Sequence, residues 1–183
     1  MKIILFGASG SGTTTLGKAL AQQTNFKHLD ADDYYWRPTP IPYTEKVPLE
    51  ERNKKMKTDF LKNKNVLVSG SLVSWGKEWE RAFDLAIFLY LDHQIRMERL
   101  QQREVARYGE ILQTDRERRT HYKAFIAWAA QYDNPNFQGR SLRVHQEWMQ
   151  KLDGKLLKLV GTLELQTKVD RVIAAMQKLD SNV

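Results

Sequence analysis

Apolar and polar positions along this chain alternate between strand-like and helix-like blocks. Residues 2–6 are a short β-branched and apolar run, which predicts a buried strand. From Thr13 the period becomes helical, with Leu16, Ala19, Leu20 and Gln23 three or four apart. Residues 26–29 are a brief second strand. A proline-rich loop with Pro38, Pro40 and Pro42 leads to a helix over 48–63, with Pro48 in its first turn and Glu50 and Glu51 complementing its dipole. Its Lys and Arg residues read as a solvated face. Residues 65–69 and 85–91 are continuous apolar runs, as expected of parallel strands buried on both faces. A short helix is predicted over 75–83 and a longer one over 92–108, broken by Gly109. The next helix spans 114–131 and opens on a capping box, Thr114-Asp115-Arg116-Glu117. Phe125, Ile126, Trp128 and Ala129 read as packing, and residues 133–136 as a turn. Residues 155–160 form the last strand, joined through 161–164 to an amphipathic helix reaching Leu179. No internal repeat or interdomain linker interrupts the series.

Chemistry concentrates where the first strand ends. Gly7, Ala8, Ser9, Gly10, Ser11, Gly12, Thr13 and Thr14 have the spacing of a phosphate-binding loop, G-x-x-x-x-G-[K]-[ST], between a strand and a helix. Glycines let the backbone approach a ligand, successive N–H groups converge on one concavity, and the helix start adds its positive dipole end. Thr14 stands where a hydroxyl ligates Mg²⁺. Thr13 occupies the lysine position, so a full positive charge is missing, and Lys18 lies too far into the helix to replace it.

Composition narrows the class. The 183 residues suffice for one α/β domain, 42% of them are hydrophobic, and cysteine is absent, which excludes disulfides and thiol chemistry. No apolar run approaches a membrane span and the N-terminus runs directly into the loop without a signal peptide, so a cytoplasmic protein is expected. The net charge of +7 suits an anionic partner. No RNA- or DNA-binding motif appears, so a nucleic acid is not the expected one.

Asp30, Asp32 and Asp33 follow the second strand, on the rim where α/β sheets bind ligands. Asp30 and Asp32 are candidates to hold Mg²⁺ through water or to accept a proton from an attacking hydroxyl; the alternative is that they cap a turn or helix. Ser69, Gly70 and Ser71 end the third strand with small residues, and no Walker B carboxylate stands there. Arg96, Arg99, Arg103 and Arg107 share one face of the 92–108 helix, with Glu98 and Glu104 off that stripe. Guanidinium groups fork onto phosphate oxygens, so the stripe reads as phosphate-facing or as an exposed basic face. Arg140 and Arg143 lie three apart in GRSLR, and His145 reads as structural or at the surface.

Together, GASGSGTTT, DADD and RMERLQQRE resemble the nucleoside monophosphate kinase and shikimate kinase branch of P-loop kinases over nearly the whole chain, with likeness to bacterial adenylate-kinase-related proteins; GRSLR and VGTLE fit more loosely. The resemblance implies a three-layer α/β fold whose parallel five-stranded sheet, ordered 2-3-1-4-5, is flanked by helices. It implies one domain over 1–183, with a helical lid at roughly 96–140. Arg99 and Arg103 become lid residues with Arg96 behind them, Arg140 and Arg143 return to the phosphates, and Gly161, Thr162 and Leu163 border the base. The loop through Thr15 would hold the phosphates of ATP. Thr14 and Asp30 would serve Mg²⁺, and Asp30 or Asp32 would orient metal water or the acceptor. The expected reaction is γ-phosphoryl transfer to a small acceptor such as a nucleoside monophosphate. The alternative is a nucleotide-binding regulator with little catalysis, because Thr13 replaces the lysine. The sequence leaves the acceptor, the ATP or GTP preference and the oligomeric state open.

Overall fold

A computed structural model describes residues 1–181. Five strands, β1 (Lys2–Gly7), β2 (Lys27–Asp30), β3 (Val66–Ser69), β4 (Leu85–Tyr90) and β5 (Lys155–Val160), form one parallel sheet ordered β2-β3-β1-β4-β5, as the resemblance implies. The helices are α1 (Thr13–Gln23), α2 (Ala31–Tyr35), α3 (Leu49–Lys62), α4 (His93–Tyr108), α5 (Ile111–Thr114), α6 (Arg116–Ala130), α7 (Leu142–Met149) and α8 (Leu165–Asp180). Parallel strands need crossovers, and those helices cover both sheet faces, which is why β1, β3 and β4 are apolar except at their ends.

Strand alternation divides the core in two. Ile4 and Phe6 of β1 face a cluster with Met56 and Phe60 of α3 and Trp148 of α7. Ile3 and Leu5 face Leu16 and Leu20 of α1 with Val169 and Val172 of α8. Each such side chain, fully buried, contributes about 1.5–3 kcal/mol. Phe6 centres the first layer, with ring centroids 5.0 Å from Trp148, 5.3 Å from Phe88 and 5.4 Å from His145. Helix α1 sits close to the sheet because Gly17 has no side chain: a Cβ there would lie 2.5 Å from His28 Nε2 and 3.2 Å from Ser69 Cβ.

Two local expectations change, and one alternative is realised. The 75–83 helix is only a 3-10 turn, Lys77–Glu80, because Trp75 and Trp79 are drawn into the core, Trp79 edge-on to Phe60 and stacked with Phe83. The capping box does not form at Thr114. Asp115 is the N-cap of α6 and accepts from the Glu117 and Arg118 amides, while Thr114 Oγ1 donates to Glu110 O. Residues 31–35 form a helical turn, with Asp30 as its N-cap.

Candidate functional site

The parallel register brings Gly7, Asp30, Ser69 and Tyr90 to the carboxyl rim of the sheet. Beyond Gly7 the chain turns through Ala8, Ser9, Gly10 and Ser11, closed by the Ser11 amide donating to Ala8 O at 3.1 Å. Gly10 (φ +85°) and Gly12 (φ +94°) are left-handed, a region L side chains avoid. A Cβ on Gly10 would meet Arg96 O and Leu100 Cγ, each at 2.9 Å, so the loop rests on α4. One on Gly12 would meet nothing within 4 Å, so that side of the loop is open. Helix α1 has no side-chain cap and no acidic residue in its first turn. Its first amides and its dipole therefore face the opening without an internal anion. Thr13 and Thr14 are half-buried there, and Thr15 is exposed.

The carboxylates separate by environment. Asp30 Oδ1 accepts from the Asp32 amide at 3.0 Å, so one of its oxygens is engaged in capping α2. Asp32 is reached by solvent yet crowded by protein. That desolvation, and then Asp30, raise its carboxyl above the ordinary range, against the pull of Arg140 and Arg103. Asp33 is also raised, by desolvation first and then by Asp30, against the opposing pull of His28, Lys18 and Lys55. Asp32 thus faces the arginines, and Asp33 faces α1 and α3.

The arginine stripe does not act as one surface. Arg96 is fully buried; it donates to Asp133 Oδ2 at 2.7 Å and to Ala129 O at 3.0 Å. Its guanidinium is consumed in tying α4 to the end of α6. Arg99 is exposed, and its charge is felt by Lys168 of α8. Arg103 lies 5.8 Å from the Phe125 ring centroid and acts on Asp32. Arg107 sits 5.1 Å from the Tyr43 ring. Glu104 answers the stripe after all: it is buried and pairs with Arg103 at 3.2 Å and Arg107 at 3.5 Å. Arg140 reaches the loop, donating from Nη2 to Ser9 Oγ at 2.9 Å, with its guanidinium 5.1 Å from the Trp128 ring. Arg143 turns away and pairs with Glu147 at 2.6 Å.

Histidines organise the rim from behind. His28 Nε2 lies 2.9 Å from Ser69 Oγ. His145 is fully buried between Tyr132 Oη, 2.7 Å from Nδ1, and Ser71 Oγ, 2.9 Å from Nε2. Burial first, then Arg140, lower its pKa to about 3, so the ring is neutral. Gly161 (φ +84°) follows β5, its amide on Tyr90 O at 3.0 Å, and Leu163 N returns to Gly161 O at 3.0 Å. Gly161, Thr162 and Leu163 thus form a tight turn at the same rim.

A polyphosphate fits this arrangement. Among the described residues, the buried side-chain polar atoms without a partner are Ser11 Oγ, Arg52 Nε, Arg96 Nε and Arg140 Nε. Ser11 belongs to the loop, and Arg96 and Arg140 touch it. No group of three or more His, Cys, Asp or Glu that could hold a metal occurs among the described residues. Arg52 is the residue sequence reasoning missed. Its guanidinium lies 4.3 Å from the Tyr35 ring and 4.7 Å from the Trp75 ring, with no carboxylate partner among the described residues. The signal was spacing: Arg52, Met56 and Phe60 lie four apart, on the apolar stripe of α3.

The comparisons agree with this geometry. Residues 3–121 match a family model described as an AAA domain. The chain is similar to the uncharacterized protein YqaC of Bacillus subtilis (strain 168), 37% identical over 93% of this chain and 94% of that one. It is also similar to a cytidylate kinase of Archaeoglobus fulgidus, 29% identical over 68% of this chain and 77% of the relative. Among solved structures, a shikimate kinase from Bacteroides thetaiotaomicron superposes with a TM-score of 0.55 at 20% identity, over 97% of this chain and 98% of that one. No helix among the described residues is long and apolar enough to cross a membrane. The chain belongs to this AAA-domain family, and its five-stranded sheet has the fold of the P-loop kinases.

Proposed function

We propose that this protein binds ATP with Mg²⁺ and transfers the γ-phosphoryl group to a small anionic acceptor such as a nucleoside monophosphate. The observation that carries this reading is the convergence of an open phosphate loop, an arginine bonded to it and a carboxylate in that arginine's field, Ser9, Arg140 and Asp32, on one rim. Phosphoryl transfer is largely positioning and charge neutralisation, and these groups supply both. The loop from Gly7 to Thr15 holds the phosphates, Thr14 with the free oxygen of Asp30 serves the metal, and Mg²⁺ when bound neutralises developing charge. Asp32 orients metal-bound water or the acceptor, and Arg103 meets charge near it. Arg99 belongs to the lid, and the turn at Gly161, Thr162 and Leu163 borders the base. Arg52, held between Tyr35 and Trp75, anchors the acceptor's anionic group. The chain acts as one domain over 1–183, with residues 96–140 as its lid, and works in the cytoplasm.

The test is ADP release from ATP·Mg²⁺ across cytidylate, adenylate, uridylate and shikimate, paired with calorimetric titration of ATP. Turnover with one acceptor is expected. Absence of ATP affinity overturns the reading. ATP affinity without turnover on any acceptor favours the second reading, a nucleotide-binding regulator, which rests on Thr13 in the lysine position.

A further inference from the structure

We propose that Arg140 supplies to the phosphate loop the positive charge that Thr13 omits, entering from the segment before α7 rather than from the loop itself. The inference rests on the nucleotide-binding reading above and asks where the loop's cation resides. A lysine in that position would place an ammonium beside the bound phosphates; Thr13 offers one neutral hydroxyl. Lys18 is exposed, and its field falls on His28 and Asp33, at the β2 side of α1. Of the other nearby arginines, Arg96 is paired with Asp133, Arg103 and Arg107 share Glu104, Arg143 is paired with Glu147, and Arg99 is exposed with its charge falling on Lys168 of α8.

Arg140 differs from all of these. Its Nη2 is bonded to a loop residue, Ser9, at 2.9 Å. Its plane is steadied by the Trp128 ring at 5.1 Å, and its Nε is buried with no acceptor. Among the described residues no carboxylate stands within ion-pair distance of it, although Asp32 shares its field. A guanidinium has five N–H donors in a fixed fork, so donors remain after the Ser9 bond. Ser9 Oγ accepts from Arg140, which leaves the serine proton free to point to the opening. Cation and hydroxyl together then present a charge-assisted and a neutral donor to phosphate oxygens, from the side that also carries Asp32. Burial without an anion is costly for a guanidinium, and a bound phosphate removes that cost.

The experiment is calorimetric titration of ATP·Mg²⁺ into four proteins: wild type, Arg140→Gln, Thr13→Lys and the double variant, each checked for folding by its thermal melt. Arg140→Gln is expected to weaken binding about ten- to a hundredfold, the worth of a hydrogen bond to a charged group. Thr13→Lys alone should change affinity less than about threefold, because the cation is already present, yet restore most of the loss in the Arg140→Gln background. Arg140→Lys, which keeps charge and loses the fork, should bind within about tenfold of wild type; it keeps the proposal testable if the glutamine variant fails to fold. Unchanged affinity in Arg140→Gln overturns the proposal. So does an equal gain from Thr13→Lys in both backgrounds, since that shows two independent charges. A wild-type protein without ATP affinity overturns the nucleotide-binding reading itself, and this proposal with it.

Discussion

Lowering the pH from about 7.5 to about 5 should destabilise this protein through one buried ring. His145 is fully enclosed, between Tyr132 Oη at 2.7 Å and Ser71 Oγ at 2.9 Å, with its edge toward Phe6 and Phe88. Desolvation, with a smaller push from Arg140, lowers its pKa to about 3. In the unfolded chain a histidine titrates near 6.5, so on acidification the unfolded state takes up a proton that the folded state refuses. The stability contribution is therefore intact above about pH 6.5 and is lost as pH falls toward the folded value. At about pH 5 the unfolded ring is protonated roughly thirtyfold over its neutral form, which amounts to about 2 kcal/mol. The assay is urea unfolding of wild type and His145→Gln at both pH values. Glutamine can accept from Tyr132 and donate to Ser71 but does not titrate. His28, lowered by burial as well, is present in both proteins and cancels in the comparison. Wild type should lose about 2 kcal/mol more than the variant. A difference under about 0.5 kcal/mol would refute the reasoning, because it would mean that the folded ring accepts the proton as readily as the unfolded one.

Three other outcomes can be measured directly. Asp133→Asn removes the charge that answers the buried Arg96 and should cost about 3 kcal/mol, a fall of roughly 6–12 °C in Tm; a fall under about 2 °C would show that the pair does not clamp α4 to the end of α6. Gly12→Val sets a β-branched residue at φ +94° in the loop's open side, so the protein should melt cooperatively yet give no binding heat with ATP·Mg²⁺; normal affinity in the folded variant would remove the loop from the site. Arg103→Ala should lower kcat, with the acceptor found in the turnover screen, by about tenfold or more while ATP affinity changes less than about threefold; equal losses would assign Arg103 to ground-state binding.

The frame of the fold was legible because its signals are local. β1, β3 and β4 are uninterrupted apolar runs, and the glycine loop lies between a strand and a helix of clear period. What escaped depends on neighbours remote in sequence. Helix α2 is five residues long, too short to show a period. The stretch from Trp75 to Phe83 looked helical, but Trp75 answers to Tyr35, and Trp79 to Phe60 and Phe83. Thr114 and Asp115 are both good caps, and only the structure shows which one the α6 amides meet. The arginines carry the same lesson into the site. Spacing placed four of them on one face of α4, but whether each meets a carboxylate or an aromatic ring depends on α6, on the turn after it and on the loop bearing Tyr43. Arg96 shows the difference most plainly: its position on the stripe was correct, and its charge is spent internally on Asp133. Arg52 is the converse, set aside as solvated and found among aromatics without a counter-charge.

The missing side chain at Gly17 sets a mechanical tolerance for the whole rim. Helix α1 is a rigid rod whose first turn forms one wall of the phosphate loop, and its distance from the sheet is gauged by the contact of Gly17 with His28 and Ser69. An alanine there would have to lift the rod or displace the His28 ring, which is tied to Ser69 at the end of β3. Reaction rates fall about a hundredfold for a misplacement of about 1 Å. On the proposed reading, one methyl group a helical turn behind the loop would therefore shift the donor side of the site relative to the acceptor side without touching either. Alignment at the mouth is in this sense a property of the back of the helix.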